Sequence, residues 1–186
     1  MEQISNKKDF EDLTANLRDL AYSYIEKYSP SKQQTKTYLL KKYLNKFQGT
    51  KSKKEITDVI DKVVNNLEKG KVLNDSLYSD SKTKMFFRRG YSLNKIKNSL
   101  QIKGIGQNDI KKSIEKLKNE KTDPDFVSAM KICKKRRIGP MRLEANRTLF
   151  YKKDIGILAR SGFSYDISKK ILSMDSKEFT KLIKII

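Results

Sequence analysis

The chain has 186 residues, of which 37% are hydrophobic and 34% are charged; 42 lysines and arginines against 22 acidic residues give a formal net charge of +20. This length allows one ordinary domain or several very small ones with a packed core. One cysteine and no histidine exclude an internal disulfide and a cysteine–histidine metal site.

The sequence contains no signal for a membrane or for secretion. No apolar run approaches the ~20 residues of a membrane helix, and the N-terminal MEQISNKKDFEDL lacks the apolar core of a secretory signal. We therefore expect a cytoplasmic protein that does not associate with membranes.

The positive charge is spread along the chain and is not confined to a tail. Such a surface favours a polyanionic partner, either nucleic acid or an acidic protein. The alternative is a merely solvated surface, because a chain rich in lysine, isoleucine and asparagine can reflect codon bias.

Helical periodicity recurs along the whole chain, whereas no sustained two-residue alternation indicates a strand. The fold class is therefore predicted to be all-α. The apolar stripes predict helices at about 12–28, 31–46, 54–69, 75–89, 92–103, 107–119, 124–137, 147–161 and 165–173, with a terminal turn or helix at 176–184.

Polar caps and glycines mark the predicted helix ends. Ser31 with Gln34 has the spacing of a capping box, and so has Asp175 with Glu178. Further N-cap candidates are Asn74 or Asp75, Ser92, Asp123 and Ser164. Helices are expected to end in a left-handed cap at Gly70, Gly104 and Gly162.

The helices group into three sets of three. Ser31 and Ser92 each open the middle helix of a set, and Gly104 and Gly162 each close one. We predict an N-terminal tail at 1–11 and three-helix repeats at 12–70, 71–120 and 121–186. Since such units pack mainly on their neighbours, the predicted shape is an elongated, curved rod.

Nine basic residues are candidates for contact with DNA or with a partner protein. They are Arg88, Arg89, Lys95, Lys103, Lys134, Lys135, Arg136, Arg137 and Arg142. The cluster at 134–137 follows a buried stripe that ends at Cys133, which is predicted to be a core residue. The alternative for this cluster is a solvated helix end, because cations also suit the helix dipole there.

Arg88 and Arg89 stand beside Phe86, Phe87 and Tyr91. This pattern is consistent with phosphate contact and aromatic stacking. It is equally consistent with core aromatics and arginines at a helix end; we favour core for the aromatics and contact for the arginines. Lys95 and Lys103, close to one helix face, would extend the basic path.

The ordered motifs resemble those of the RecX family. The family's middle repeat has a Leu-Asn/Asp-Asp opening followed by a basic stretch with spaced apolar residues and glycines. The matching residues are Leu73-Asn74-Asp75, Arg88, Gly90, Ser92, Ile96, Leu100, Gly104 and Ile105. The third repeat is similar in KKRRIGPMR (134–142) and in KDIGILARSGFSYDISKKIL (153–172). The first repeat departs from the pattern at Thr35 and Phe47.

The resemblance implies three tandem three-helix repeats and a non-enzymatic regulator of the recombinase RecA, without catalytic residues or cofactors. Such a protein would bind RecA, as a monomer or as a filament on single-stranded DNA. It would modulate, and mainly inhibit, strand exchange, ATP hydrolysis and co-protease activity in DNA recombination, repair and the SOS response. We expect a monomer that binds single-stranded DNA weakly and without sequence preference.

The residues themselves also argue against an enzyme. The chain has no histidine, no paired acidic motif, no phosphate-binding glycine loop and no metal-binding set.

Two other classes of function remain open. A helix-turn-helix transcription regulator would need base-reading side chains, and the segment 107–119 offers only Gln107 and Asn108. A helical scaffold for an acidic protein would show no affinity for nucleic acid.

Overall fold

The computed structural model describes residues 2–46 and 52–185, and every regular element in these ranges is helical. The α-helices are α1 (Glu2–Tyr28), α2 (Lys32–Lys46), α3 (Lys53–Lys69), α4 (Asp75–Arg88), α5 (Leu93–Ile102), α6 (Gln107–Glu120), α7 (Pro124–Arg136), α8 (Glu144–Arg160), α9 (Tyr165–Leu172) and α10 (Ser176–Ile185). A 3₁₀ turn at Gly139–Met141 separates α7 from α8. The all-α prediction is confirmed.

Two helices begin earlier than the sequence predicts. α1 starts at Glu2, so the backbone of the segment expected to be an N-terminal tail, residues 1–11, is helical from Glu2 onward. No glycine or proline lies between residues 2 and 28, and so no helix breaker separates this segment from the rest of α1. α8 starts at Glu144 instead of residue 147. Phe47, where the first repeat departs from the family pattern, lies outside the described residues.

The chain divides into two compact units. The first is Met1–Tyr78 with Lys103–Gly106, and the second is Ser79–Ile102 with Gln107–Ile186. The three repeats, their boundaries and the rod shape predicted from the sequence stay predictions.

The core of the first unit is built by α1, α2 and α3. The apolar stripe predicted for α3 is confirmed, because Ile56, Ile60, Val63 and Leu67 are all buried. They pack in one cluster with residues of α1 and α2, which include the buried Leu17, Ala21 and Leu39.

The second unit has its main apolar cluster between α7, α8, α9 and α10. Its fully buried members are Ala129, Met130, Cys133, Leu158, Ile171 and Phe179. The prediction that Cys133 is a core residue is confirmed.

The thiol of Cys133 should resist alkylation in the folded protein. Burial, together with the negative charge of nearby Asp154, raises its pKa to about 12, and only the thiolate is an effective nucleophile. We expect no reaction with iodoacetamide at pH 8 and one labelled thiol per chain in denaturant, measured by mass spectrometry. Rapid labelling without denaturant would contradict the buried position.

The caps follow the sequence with one exception. Ser31 and Gln34 form a capping box, because each side chain accepts a hydrogen bond from the other residue's backbone N–H. Asp175 accepts hydrogen bonds from the first N–H groups of α10. The left-handed cap expected at Gly70 is wrong: this residue has φ −76°, and the chain turns one residue later at Lys71, with φ 58°.

In the first unit, the N-terminus of α2, which Ser31 caps, packs against the turn at Gly104. The hydroxyl of Ser31 donates to the carbonyl of Lys103 at 2.6 Å, and the N–H of Lys32 donates to Asp75 at 2.9 Å. Gly104 has φ +77°, and a Cβ added there would lie 2.3 Å from the Cβ of Gln33. Only glycine fits this approach.

The same set of contacts recurs in the second unit. The hydroxyl of Ser92 donates to the carbonyl of Ser161 at 2.9 Å, and the N–H of Leu93 donates to Asp125 at 2.6 Å. Gly162 has φ +88°, and a Cβ there would lie 2.5 Å from the Oγ of Ser92. The repetition of serine, aspartate and glycine in equivalent contacts supports the tandem-repeat prediction.

Candidate binding surface

A cluster of four cations ends α7. Lys134, Lys135, Arg136 and Arg137 are all exposed, as expected. The helix stops because Arg137 adopts the left-handed conformation, with φ 52°, and its N–H donates to the carbonyls of Cys133 and Lys134. Within the described parts of the chain, none of the four side chains forms an ion pair.

The helix dipole accounts for only part of this concentration of charge. A cation in the last turn of a helix gains about 0.3–1 kcal/mol, but adjacent like charges on one helix end repel one another. An external anion would remove that repulsion. The cluster at 134–137 is therefore suited to bind a polyanion.

Arg142 is engaged within the fold. Its guanidinium donates to both carboxylate oxygens of Asp154, at 2.7 and 2.8 Å, and lies over the ring of Phe150, 4.5 Å from the centroid. The Asp154 side chain is 1% exposed and also accepts the N–H of Gly139 at 2.9 Å. We therefore assign Arg142 to support of the fold, although the sequence made it a contact candidate.

Burial and the contacts of Asp154 shift its pKa in opposite directions. Burial alone would raise it, but the hydrogen bonds from Arg142 and from the N–H of Gly139, with the positive charges of Arg142 and Lys153, lower it below its ordinary value. The carboxylate therefore stays ionised inside the second unit.

Arg88, the last residue of α4, and Arg89 after it are both exposed, whereas the rings of Phe86 and Phe87 are buried and that of Tyr91 is only half-buried. Phe86 and Phe87 are each 6% exposed, which confirms that both are core residues. Phe86 stacks on Tyr91 with centroids 5.0 Å apart.

Lys95 and Lys103 have separate surroundings. Lys95 lies in α5, and its ammonium is 4.4 Å from the centroid of Tyr91. Lys103 follows the last residue of α5, and its carbonyl accepts the Ser31 hydroxyl. The basic path predicted to join them stays a prediction.

A cleft of about 670 Å³ in the second unit was not predicted from the sequence. Four basic residues stand around it: Lys84, Arg88, Lys121 and Lys131. Its lining comes from α4, α6, α7 and α10 and from the turn after α6. No local pattern could have revealed it, because these residues are brought together only by helix packing.

Among the described residues, no group of three or more potential metal ligands comes together. In the same ranges, none of the helices has the length and apolar character to cross a bilayer.

The chain is similar to curated RecX proteins and to a solved RecX structure. No protein-family model matches the chain. A regulatory protein RecX of Myxococcus xanthus (strain DK1622) is 29% identical over 159 residues, covering 84% of this chain and 83% of the relative. A crystal structure of regulatory protein RecX shares the fold, with a TM-score of 0.68 over 94% of this chain and 78% of that one, at 19% identity. The chain is similar to regulatory proteins RecX in sequence and shares their fold.

A second RecX relative agrees over a shorter stretch. The regulatory protein RecX of Agrobacterium fabrum (strain C58 / ATCC 33970) is 28% identical over 108 residues, covering 58% of this chain and 55% of the relative.

Several residues that carry the RecX resemblance hold the fold. Ser92 and Gly104 belong to the two serine–glycine contacts, and Arg142 and Asp154 form the buried ion pair. The exposed cations at 134–137 have no such task among the described contacts. They are therefore the best candidates for contact with a partner.

Proposed function

We propose that this protein is a non-enzymatic regulator that binds RecA, as a monomer or as a filament on single-stranded DNA. It mainly inhibits strand exchange, ATP hydrolysis and co-protease activity, and so acts in DNA recombination, repair and the SOS response. It works in the cytoplasm as a monomer and needs no cofactor.

The exposed cation cluster at 134–137 carries this proposal. A filament on single-stranded DNA contains a polyanion, and four unpaired cations on a RecX fold provide a matching surface. Contact there would obstruct entry of the second duplex and the subunit movements linked to ATP turnover. Arg88 and Arg89 are further exposed cations that could extend the contact.

Reversing the cluster should abolish most of the inhibition. The variant carries Lys134→Glu, Lys135→Glu, Arg136→Glu and Arg137→Glu, and like charges facing a polyanion repel. RecA ATPase and strand exchange on single-stranded DNA, titrated with wild type and variant, measure the effect.

The matched control reverses four exposed lysines outside the cluster: Lys41, Lys111, Lys112 and Lys181. It changes the net charge equally and should inhibit nearly as well as wild type. If wild type leaves both RecA activities unchanged, the regulator proposal is wrong. If both reversed variants, folded by circular dichroism, inhibit equally, a different surface makes the contact.

Binding to single-stranded DNA should be weak and should fade with salt. With about four phosphates neutralised at ~0.7 per contact, the plot of log K against log salt should have a slope near −3. Arg136→Ala with Arg137→Ala should flatten this slope by one or two contacts, while Lys111→Ala with Lys112→Ala should change it less. Fluorescence anisotropy measures both, and preference for one duplex sequence would instead favour the transcription-regulator alternative.

A further inference from the structure

We propose that the cleft in the second unit binds an acidic peptide segment that carries one large apolar side chain. This inference goes beyond the regulator role and does not depend on it, because the chemistry of the cleft alone defines the ligand. The cleft itself is lined by Lys84, Phe87, Arg88, Lys121, Lys131 and further residues of α6, α7 and α10.

The charges around the cleft are unbalanced. Among the described residues that line it, there are four cations, Lys84, Arg88, Lys121 and Lys131, and one carboxylate, that of Glu120. Glu120 already pairs with Lys84 at 3.0 Å. Arg88, Lys121 and Lys131 have no ion-pair partner within the described residues, so the cleft can accept about three negative charges.

The pKa of Lys131 is affected both by its burial and by this excess of positive charge. The side chain is only partly exposed, and burial and the positive charge of Lys121 both lower its pKa. A carboxylate near Lys121 and Lys131 would offset both effects, because an opposite charge stabilises the ammonium.

The cleft also offers apolar surface to a ligand, mainly at the half-buried Val127 and the exposed Ile185. Leu117 and Phe87 are buried at its floor, Val127 is half-buried, and Ile185 at the edge is 77% exposed. A ligand that is only an anion would leave this apolar surface in contact with water. The volume of about 670 Å³ falls within the range of pockets that hold specific ligands and accommodates a large side chain with its flanking backbone.

Nucleic acid fits this cleft less well. Bases bind single-strand sites by stacking on exposed aromatic faces, but the one ring in the lining, Phe87, is buried and has the ammonium of Lys131 4.4 Å from its centroid. The other apolar residues are aliphatic. Carboxylates beside a leucine or phenylalanine satisfy both the cations and the floor, which a phosphate backbone does not.

The test uses three fluorescein-labelled hexapeptides, with neither RecA nor DNA present. The first is fluoresceinyl-Glu-Asp-Phe-Glu-Asp-Glu-amide, with the dye on the N-terminal amine; the second has serine for phenylalanine, and the third has glutamine and asparagine for the acids. Fluorescence anisotropy at physiological salt should show binding of the first peptide, with about tenfold weaker binding of each of the others.

Variants locate the site. Lys121→Glu with Lys131→Gln should weaken binding of the first peptide at least about tenfold. The control, Lys111→Glu with Lys112→Gln, makes the same charge change at exposed positions of α6 and should have little effect. Circular dichroism verifies that both variants are folded.

Each other outcome overturns the proposal. Absence of binding, or equal binding of the serine peptide, means that the apolar floor does not select a ligand. Equal binding by both double variants places the peptide elsewhere. If an oligothymidylate displaces the first peptide and loses more affinity than the peptide does in the Lys121/Lys131 variant, the cleft is a nucleic-acid site.

Discussion

Replacing Arg142 by alanine should destabilise the second unit by about 3–5 kcal/mol, the usual cost of removing one partner of a buried ion pair. The variant leaves the carboxylate of Asp154, 1% exposed, with the N–H of Gly139 as its remaining donor in the described contacts. A buried charge without its partner is much more costly than the loss of a surface contact. Urea denaturation measures the effect.

Replacing Asp154 should destabilise the second unit less than replacing Arg142. Asp154→Ala leaves the guanidinium of Arg142, which is 20% exposed and can turn toward water, so we expect a smaller loss of about 1–3 kcal/mol. Arg142→Ala combined with Asp154→Ala should cost less than Arg142→Ala alone. Arg160→Ala, at an exposed position of α8, is the matched control and should stay within about 0.5 kcal/mol.

The difference between wild type and Arg142→Ala should depend on pH. The pKa of Asp154 is lowered in the fold, so its stabilising contribution is fully present above the unfolded value of about 3.9. That contribution is lost as the pH falls through the lowered folded pKa. The destabilisation should therefore be largest near pH 7 and shrink below about pH 4; a difference constant over this range would exclude a role for the Asp154 charge.

Local patterns in the sequence predicted the number of α-helices and most of their caps, although α1 and α8 begin earlier than expected. The spacing of Ile56, Ile60, Val63 and Leu67 predicts a buried face that the structure confirms, because helical periodicity is a property of consecutive residues. Glycine position alone was less informative. Gly70 and Gly104 both follow a helix, yet only Gly104 has a positive φ.

Contacts between distant residues could not be predicted in the same way. Arg142 is one of the nine basic residues that the sequence offered as contact candidates. Only the folded chain shows that Asp154, twelve residues away, accepts two hydrogen bonds from its guanidinium. The cleft around Lys121 and Lys131 likewise depends on helix packing. Sequence periodicity indicates which residues are buried but gives no information on which charges meet.

Alanine at Gly104 or at Gly162 should destabilise the unit that contains it by about 2–5 kcal/mol. Each glycine has a positive φ, +77° and +88°, which costs an L-residue about 1–2 kcal/mol. The added Cβ also meets a neighbour, at 2.3 Å from the Cβ of Gln33 or 2.5 Å from the Oγ of Ser92, and relief of such overpacking costs a further ~1–3 kcal/mol.

Gly106 provides the matched control for these substitutions. It lies two residues from Gly104, its φ is not positive, and a Cβ added there meets nothing within 4 Å. Gly106→Ala should be neutral or stabilise by up to about 1 kcal/mol, because alanine restricts the unfolded chain.

Urea denaturation of the three alanine variants tests the close approach directly. Ser92→Gly in the Gly162→Ala background removes the Oγ that the new Cβ would meet, so it should relieve the steric part of the loss, although the serine cap and its bond to the Ser161 carbonyl are lost as well. If Gly104→Ala and Gly162→Ala lose only the stability that a positive φ costs, then the side chains of Gln33 and Ser92 move aside at little cost. If Gly104→Ala and Gly106→Ala are equally stable, the glycine turn does not hold the start of α2, and the repeated contact is not the reason for the repeated sequence.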